Sequence, residues 1–224
     1  MTNNDTPQQR LRLTYAKGEA LKYISHLDLQ RTWERAFRRA RLPMAYSQGF
    51  NPRPRFQMAS ALPVGVSGRS ELLDIWLVEP LSGEDVLSRL RPVLPGGLEV
   101  LSAEEVELRT PALQAQMRAA DYQAEIHTAE PAGAIEGRIE ALMASQAIPR
   151  RRMQKGEWQT YDLRPLIQVV TVEAAAEGAI RLAMRLEASP RGAGRPEEVL
   201  DALGLALSRH RVERTRLYFA EPSD

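Results

Sequence analysis

The chain of 224 residues contains no cysteine. That absence excludes disulfides, thiolate nucleophiles, zinc knuckles and any iron–sulfur cluster held by this chain itself. Histidine is almost as scarce. The three histidines, His26, His127 and His210, lie far apart, and no His-x-x-x-His or paired-carboxylate spacing marks a metal site. Also missing are a GxxxxGK loop, a GxGxxG after a strand and a nucleophile elbow, which argues against nucleotide hydrolysis, dinucleotide redox chemistry and α/β-hydrolase chemistry. No apolar run approaches the ~18–20 residues of a membrane-spanning helix. The first nine residues are polar rather than a secretory leader, so a cytoplasmic protein with no membrane contact is expected.

What is present fits a folded chain, with 43% hydrophobic and 26% charged residues, enough apolar side chain for a core. Thirty Lys and Arg against 29 Asp and Glu give a net charge of +1, which taken alone argues against a polyanionic partner. Resolved along the chain, the number changes meaning. Arg10 to Met58 holds eleven basic and three acidic residues (+8), Ala59 to Pro149 six and fourteen (−8), and Arg150 to Asp224 thirteen and eleven (+2). Near-neutrality is therefore a cancellation between segments.

Arg10 to Tyr15 alternates polar and apolar residues as a half-buried strand does. Ser25 to Asp28 is an N-cap with a carboxylate three residues on, and Leu29, Trp33, Ala36, Phe37 and Ala40 follow at helical spacing. Pro43 closes that helix, and Met44 to Arg55 is irregular. Strands near Phe56–Ser60 and Glu71–Glu79, a short helix carrying Val86, Leu87 and Leu90, and a strand from Leu98 to about Leu108 complete a β-α-β-β-α-β order. The order then starts again: a strand through Tyr122, Ala124 and Ile126, a helix through Ile135, Ile139 and Leu142, strand-like stretches over Glu157–Glu173 and Ile180–Glu187, a helix from Pro196, and a strand over Val212–Phe219. The expected fold is α+β, with two tandem ferredoxin-like βαββαβ units over 10–111 and 112–224 behind a disordered tail, 1–9. One larger α+β domain is the alternative.

On the first helix Arg31, Arg35 and Arg38 sit at i, i+4 and i+7 opposite the apolar stripe, with Arg39 adjacent. Guanidinium groups at that spacing repel one another, so they call for a counter-charge. Either the acidic segment Glu71–Glu107 supplies it, or nucleic-acid phosphate does. The loop Tyr46 to Phe56 adds three aromatics and two arginines, Arg53 and Arg55, on backbone stiffened by Pro52 and Pro54. Tyr46 and Phe50 are candidates to stack bases and the arginines to hold phosphates, as in single-stranded RNA recognition; alternatively the aromatics tuck into the core. A second basic cluster, Arg150, Arg151, Arg152 and Lys155, is either a further RNA contact or a solvated hairpin. His26, with Tyr23 and Lys22 just before it, is the one candidate for metal-independent RNA cleavage by a general acid.

At Lys22-Tyr23-Ile24-Ser25-His26-Leu27-Asp28-Leu29, at Arg35 to Ala40 with Leu42-Pro43, and at Tyr46 to Pro54 the sequence resembles the radical SAM-associated (radical SAM-linked) proteins of bacteria. The likeness continues through Leu62-Pro63-Val64-Gly65, Asp162-Leu163-Arg164-Pro165 and Arg195-Pro196, and to Arg214 through Tyr218. In that family the domain of unknown function occurs alone or fused behind a radical SAM domain, often encoded near ribonuclease E/G or ribosomal-protein genes. The resemblance implies an accessory RNA-binding role in tRNA or rRNA maturation or modification. Without cysteine the chain lacks the three-cysteine cluster motif, so an iron–sulfur cluster and SAM would come only through a separate radical SAM partner. Two other roles stay open: a protein–protein adaptor docking on that partner, and an endoribonuclease similar in fold to the CRISPR repeat-processing enzymes.

Overall fold

Alternate apolar residues make the first strand. β1 (Gln9–Lys17) buries Leu11, Leu13 and Tyr15 on one face, and on the other buries Arg10 and holds Arg12 and Thr14 half-buried, the alternation of a strand with one apolar and one polar face. The computed structural model describes residues 6–154, 156–176 and 178–220. Of the disordered tail expected over 1–9, residues 1–5 lie outside the described residues, and Gln9 is buried in β1.

The chain divides into two compact units between Met117 and Arg118. In the first, β1 is followed by α1 (His26–Arg39), β2 (Phe56–Met58), β3 (Val66–Leu77), α2 (Gly83–Leu90), β4 (Leu98–Val106) and one helical turn, α3 (Leu113–Gln116). Ser82 caps α2: its hydroxyl accepts from the Asp85 N–H at 3.0 Å, and Val86 and Leu90 face inward. The sheet order is β2-β3-β1-β4, antiparallel throughout. Leu13 lies opposite Leu73 on one side and Ala103 on the other, which aligns the apolar faces of three strands beneath the helices.

The opposite face of this sheet carries charge. Asp74, fully buried, accepts Arg10 through Nε (3.0 Å) and Nη2, and Arg12 through Nε (2.9 Å) and Nη2 (3.1 Å). Arg10 also donates to the carbonyls of Thr110 and Pro111. One carboxylate thus joins two strands, and one guanidinium ties the connection after β4 back to the sheet.

The second unit contains β5 (Met117–His127), α4 (Ala132–Ala144), β6 (Pro149–Gln154), β7 (Glu157–Asp162), β8 (Ile167–Ala176), β9 (Ala179–Ser189), β10 (Gly192–Ala193), α5 (Pro196–Ala202) and β11 (His210–Phe219). Strand β9 pairs with β8, β10 and β5, and β5 also neighbours β11. β6 and β7 pair with each other as a separate two-stranded sheet. The stretch expected as one strand over 157–173 is therefore two. The Asp162 carboxylate accepts from the backbone N–H of Ile148 (2.7 Å) and of Arg164 (3.0 Å), turning the chain before Pro165. The protein is a mixed α+β protein, as composition and periodicity indicate.

Removing the buried carboxylate leaves two arginines without their partner. Asp74→Ala is expected to destabilise the protein by about 3–5 kcal/mol, read as a lowered midpoint in urea unfolding.

Candidate nucleic-acid interface

Helix α1 begins where the sequence places its cap. The Ser25 hydroxyl accepts from the Asp28 N–H at 3.1 Å and donates to the Asp28 carboxylate at 2.7 Å. Leu29, Trp33, Ala36 and Phe37 are buried. The Trp33 ring meets Tyr15 edge-on at 5.2 Å and stacks on Phe37 at 5.5 Å, and Phe37 meets Phe56 at 5.3 Å. This column sets the rotation of the helix. At 100° per residue the outward side then holds Arg31, Arg35, Arg38 and Arg39, and all four are exposed.

The arginines do not share one fate. Arg31 pairs with Asp28 at 3.3 Å, an exposed pair of little energetic weight. Among the described residues Arg35, Arg38, Arg39 and Arg41 form no ion pair. Three carboxylates of the acidic middle segment are engaged elsewhere: Asp74 with Arg10 and Arg12, Glu105 with Gln9, and Asp85 with Ser82.

After α1, Arg41 adopts φ 50°, the left-handed region uncommon for a residue with a side chain, and the Leu42 N–H returns to the Phe37 carbonyl. The following segment is tied to β3. The Ala45 N–H donates to the Trp76 carbonyl (2.7 Å), and the Arg55 N–H to the Ala45 carbonyl (2.7 Å). Between those ties, Ser47 and Arg53 bond to each other twice, N–H to carbonyl at 2.9 Å and N–H to hydroxyl at 3.1 Å. The loop is braced at its base, and the three aromatics separate. Phe56 packs against the core, Tyr46 is 40% exposed and Phe50 is fully exposed. Arg53 is exposed without an ion pair among the described residues. Arg55 stacks on Trp76 at 4.7 Å, a contact that sequence spacing does not reveal.

Around the start of α1, Lys22 pairs with Glu19 at 2.9 Å and lies over the Tyr23 ring at 5.1 Å. The Glu19 hydrogen bond raises the Lys22 pKa, so this lysine stays cationic. Tyr23 is exposed. His26 is half-buried, its Nδ1 has no hydrogen-bond partner among the described residues, and burial lowers its pKa. That shift disfavours the protonated form that a general acid at this position needs. Among the described residues no group of three or more His, Asp or Glu gathers as metal ligands, and no helix is long and apolar enough to cross a membrane.

The second basic cluster forms the β6–β7 hairpin, with Arg150 opposite Tyr161 and Arg152 opposite Gln159. Arg150 pairs with Asp201 of α5 at 3.3 Å, Arg152 lies over the Tyr161 ring at 4.9 Å, and the Tyr161 hydroxyl donates to Glu198. Burial pushes the Glu198 pKa up, with Arg152 and Arg150 acting the other way. Arg151 is exposed; Lys155 lies outside the described residues.

Fold and site together define an α+β protein that presents a bare guanidinium face on one helix beside a braced aromatic loop. The chain belongs to the family described as an uncharacterized protein conserved in bacteria (DUF2344), which matches residues 10–196. No curated protein matches the sequence. Among solved structures the chain is similar to one in a Cbf5-Nop10-Gar1 complex, at 14% identity and a TM-score of 0.50, covering 93% of this chain and 48% of that one. It is also similar to a chain in the archaeal box H/ACA sRNP Nop10-Cbf5 complex (13% identity, TM-score 0.47, 97% and 50% covered). A third is in an H/ACA RNP bound to a substrate RNA containing 2'-deoxyuridine (12%, 0.46, 93% and 47%). The chain spans about half the length of these structures' chains, and the likeness to the first, at 14% identity, is one of fold alone.

Because His26 has a lowered pKa in the folded chain, its protonation favours the unfolded chain. Its contribution to stability is full above the unfolded value of about 6.5 and is lost as pH falls toward the folded value. An NMR titration of the ring is expected to give a pKa below that of a free histidine, and His26→Phe to flatten the fall in melting temperature on acidification.

Proposed function

We propose that the chain is an RNA-binding accessory module acting in tRNA or rRNA maturation or modification, beside a radical SAM enzyme that supplies any radical chemistry. One observation carries the reading: Arg35, Arg38 and Arg39 stand exposed on one face of α1, without a carboxylate partner among the described residues. Like charges at helical spacing destabilise an isolated helix by about 0.2–0.5 kcal/mol per pair, and a polyanion that binds this face relieves that repulsion. Arginine's planar fork suits phosphate oxygens. The exposed Phe50 and the free Arg53 on the braced loop extend the surface with a ring for an unpaired base and a further cation.

The scaffold in this reading is a tandem of ferredoxin-like βαββαβ units. The strand orders support it, β2-β3-β1-β4 in the first unit and β8-β9-β5-β11 in the second, with the β6–β7 hairpin inserted after the first helix of the second unit. The radical SAM partner rests on the sequence resemblance alone, carried by Lys22 to Leu29 and Tyr46 to Pro54.

Binding of a fluorescein-labelled single-stranded RNA, followed by anisotropy, is expected to weaken steeply between about 50 and 200 mM salt. In an Arg35→Ala, Arg38→Ala, Arg53→Ala variant the log–log salt slope is expected to fall by about two units, at ~0.7 per phosphate contact. No binding at the lower salt, or an unchanged slope in the variant, overturns the reading. Nuclease-resistant co-purification with a radical SAM enzyme, in the absence of RNA binding, would make the same face a protein-docking surface.

A further inference from the structure

The β6–β7 hairpin has two unlike faces. Period-two alternation puts Arg150, Arg152 and Tyr161 on one of them, where Asp201, Glu198 and the Tyr161 ring occupy them as described. The other face carries Arg151 and Met153 from β6 opposite Thr160 and Trp158 from β7. All four are exposed. Trp158 is 60% exposed, whereas the other tryptophans of the chain, Trp33 and Trp76, are 0% and 7% exposed. The Arg151 guanidinium lies 5.4 Å from the Trp158 ring centre.

We propose that this outer face is a stacking platform for an unpaired base of single-stranded RNA. The base lies on the Trp158 ring or on the plane of the Arg151 guanidinium, and Arg151 also meets a neighbouring phosphate. The proposal rests on the RNA-binding reading but uses residues separate from α1 and its loop. Charge favours RNA over a protein occupant. Asp162, the carboxylate of matching parity on β7, is turned to the backbone N–H groups of Ile148 and Arg164, so the free charge among the described residues of this face is a cation. An exposed indole bordered by arginine, threonine and a single methionine is an aromatic surface in a polar setting. That suits a π-faced, anionic ligand better than an apolar protein patch.

Trp158 makes the test direct, because stacking on it quenches the emission of the one exposed tryptophan. A single-stranded oligouridylate of about twelve nucleotides, long enough for the ~4–16 nucleotides of typical single-strand sites, is titrated into the protein while anisotropy and tryptophan emission are recorded together. Wild type is expected to bind with quenching. Trp158→Ala is expected to bind about tenfold more weakly, Trp158→Phe to keep most of the affinity, and both to lose the quenching. An Arg35→Ala, Arg38→Ala variant is expected to bind more weakly and still quench at saturation. Circular dichroism of Trp158→Ala checks that the fold is intact. Binding with unchanged emission, together with undiminished affinity in Trp158→Ala, overturns the platform and leaves the α1 reading standing. No binding by wild type overturns both.

Discussion

The column of rings from Tyr15 through Trp33 and Phe37 to Phe56 is the contact on which the rest of the first unit depends. Burying an indole removes roughly 200 Å² from water, worth on the order of 5 kcal/mol at ~25 cal/mol per Å². Its N–H finds no acceptor among the described residues, at a cost of about 1–3 kcal/mol, and the burial outweighs it. Because Trp33 admits one seat against Tyr15, α1 has one rotation. Turning the helix by a single residue, ~100°, would carry charged side chains toward the sheet. The outward display of Arg35, Arg38 and Arg39 is thus a consequence of where the tryptophan sits.

The strongly basic first segment resolves into two populations. Arg10 and Arg12 lie on the reverse of the β-sheet and converge on Asp74, a member of the acidic middle segment, where burial requires the charges to be paired. The arginines of α1 lie in solvent, where nothing compels pairing. Internal neutralisation and a free cationic face, which looked like competing readings of one charge run, are both realised on different elements. The same division recurs in the β6–β7 hairpin: Arg150 is drawn to Asp201 and Arg152 to Tyr161, and Arg151 between them faces outward.

Much of the architecture is legible from residues alone. The Ser25 cap, the Leu29/Trp33/Phe37 spacing and the alternation of Leu11, Leu13 and Tyr15 are local signals, and the elements they announce are present. The run from 157 to 173 is a strand by propensity and two strands in fact, because the turn at Asp162 depends on Ile148, which a local window does not contain. In the Tyr46–Phe56 loop, composition could not separate a core ring from a solvent ring. Phe56 and Phe50 differ in what the neighbouring strand offers each of them. The exposed face that carries Trp158 and Arg151 is not legible in a local window, because hairpin register defines it and register joins residues from two strands.

The α+β class, the two-faced first helix and, through the absence of cysteine, the lack of any cysteine-ligated cluster on this chain are all readable from residue order. Those properties depend on residue type and on spacing within one element. Which arginines are neutralised, which remain bare and which aromatic rings meet water follow from packing between elements. Pairing and exposure are set by distances between elements, and those follow from how the strands register and how Trp33 seats α1 upon them.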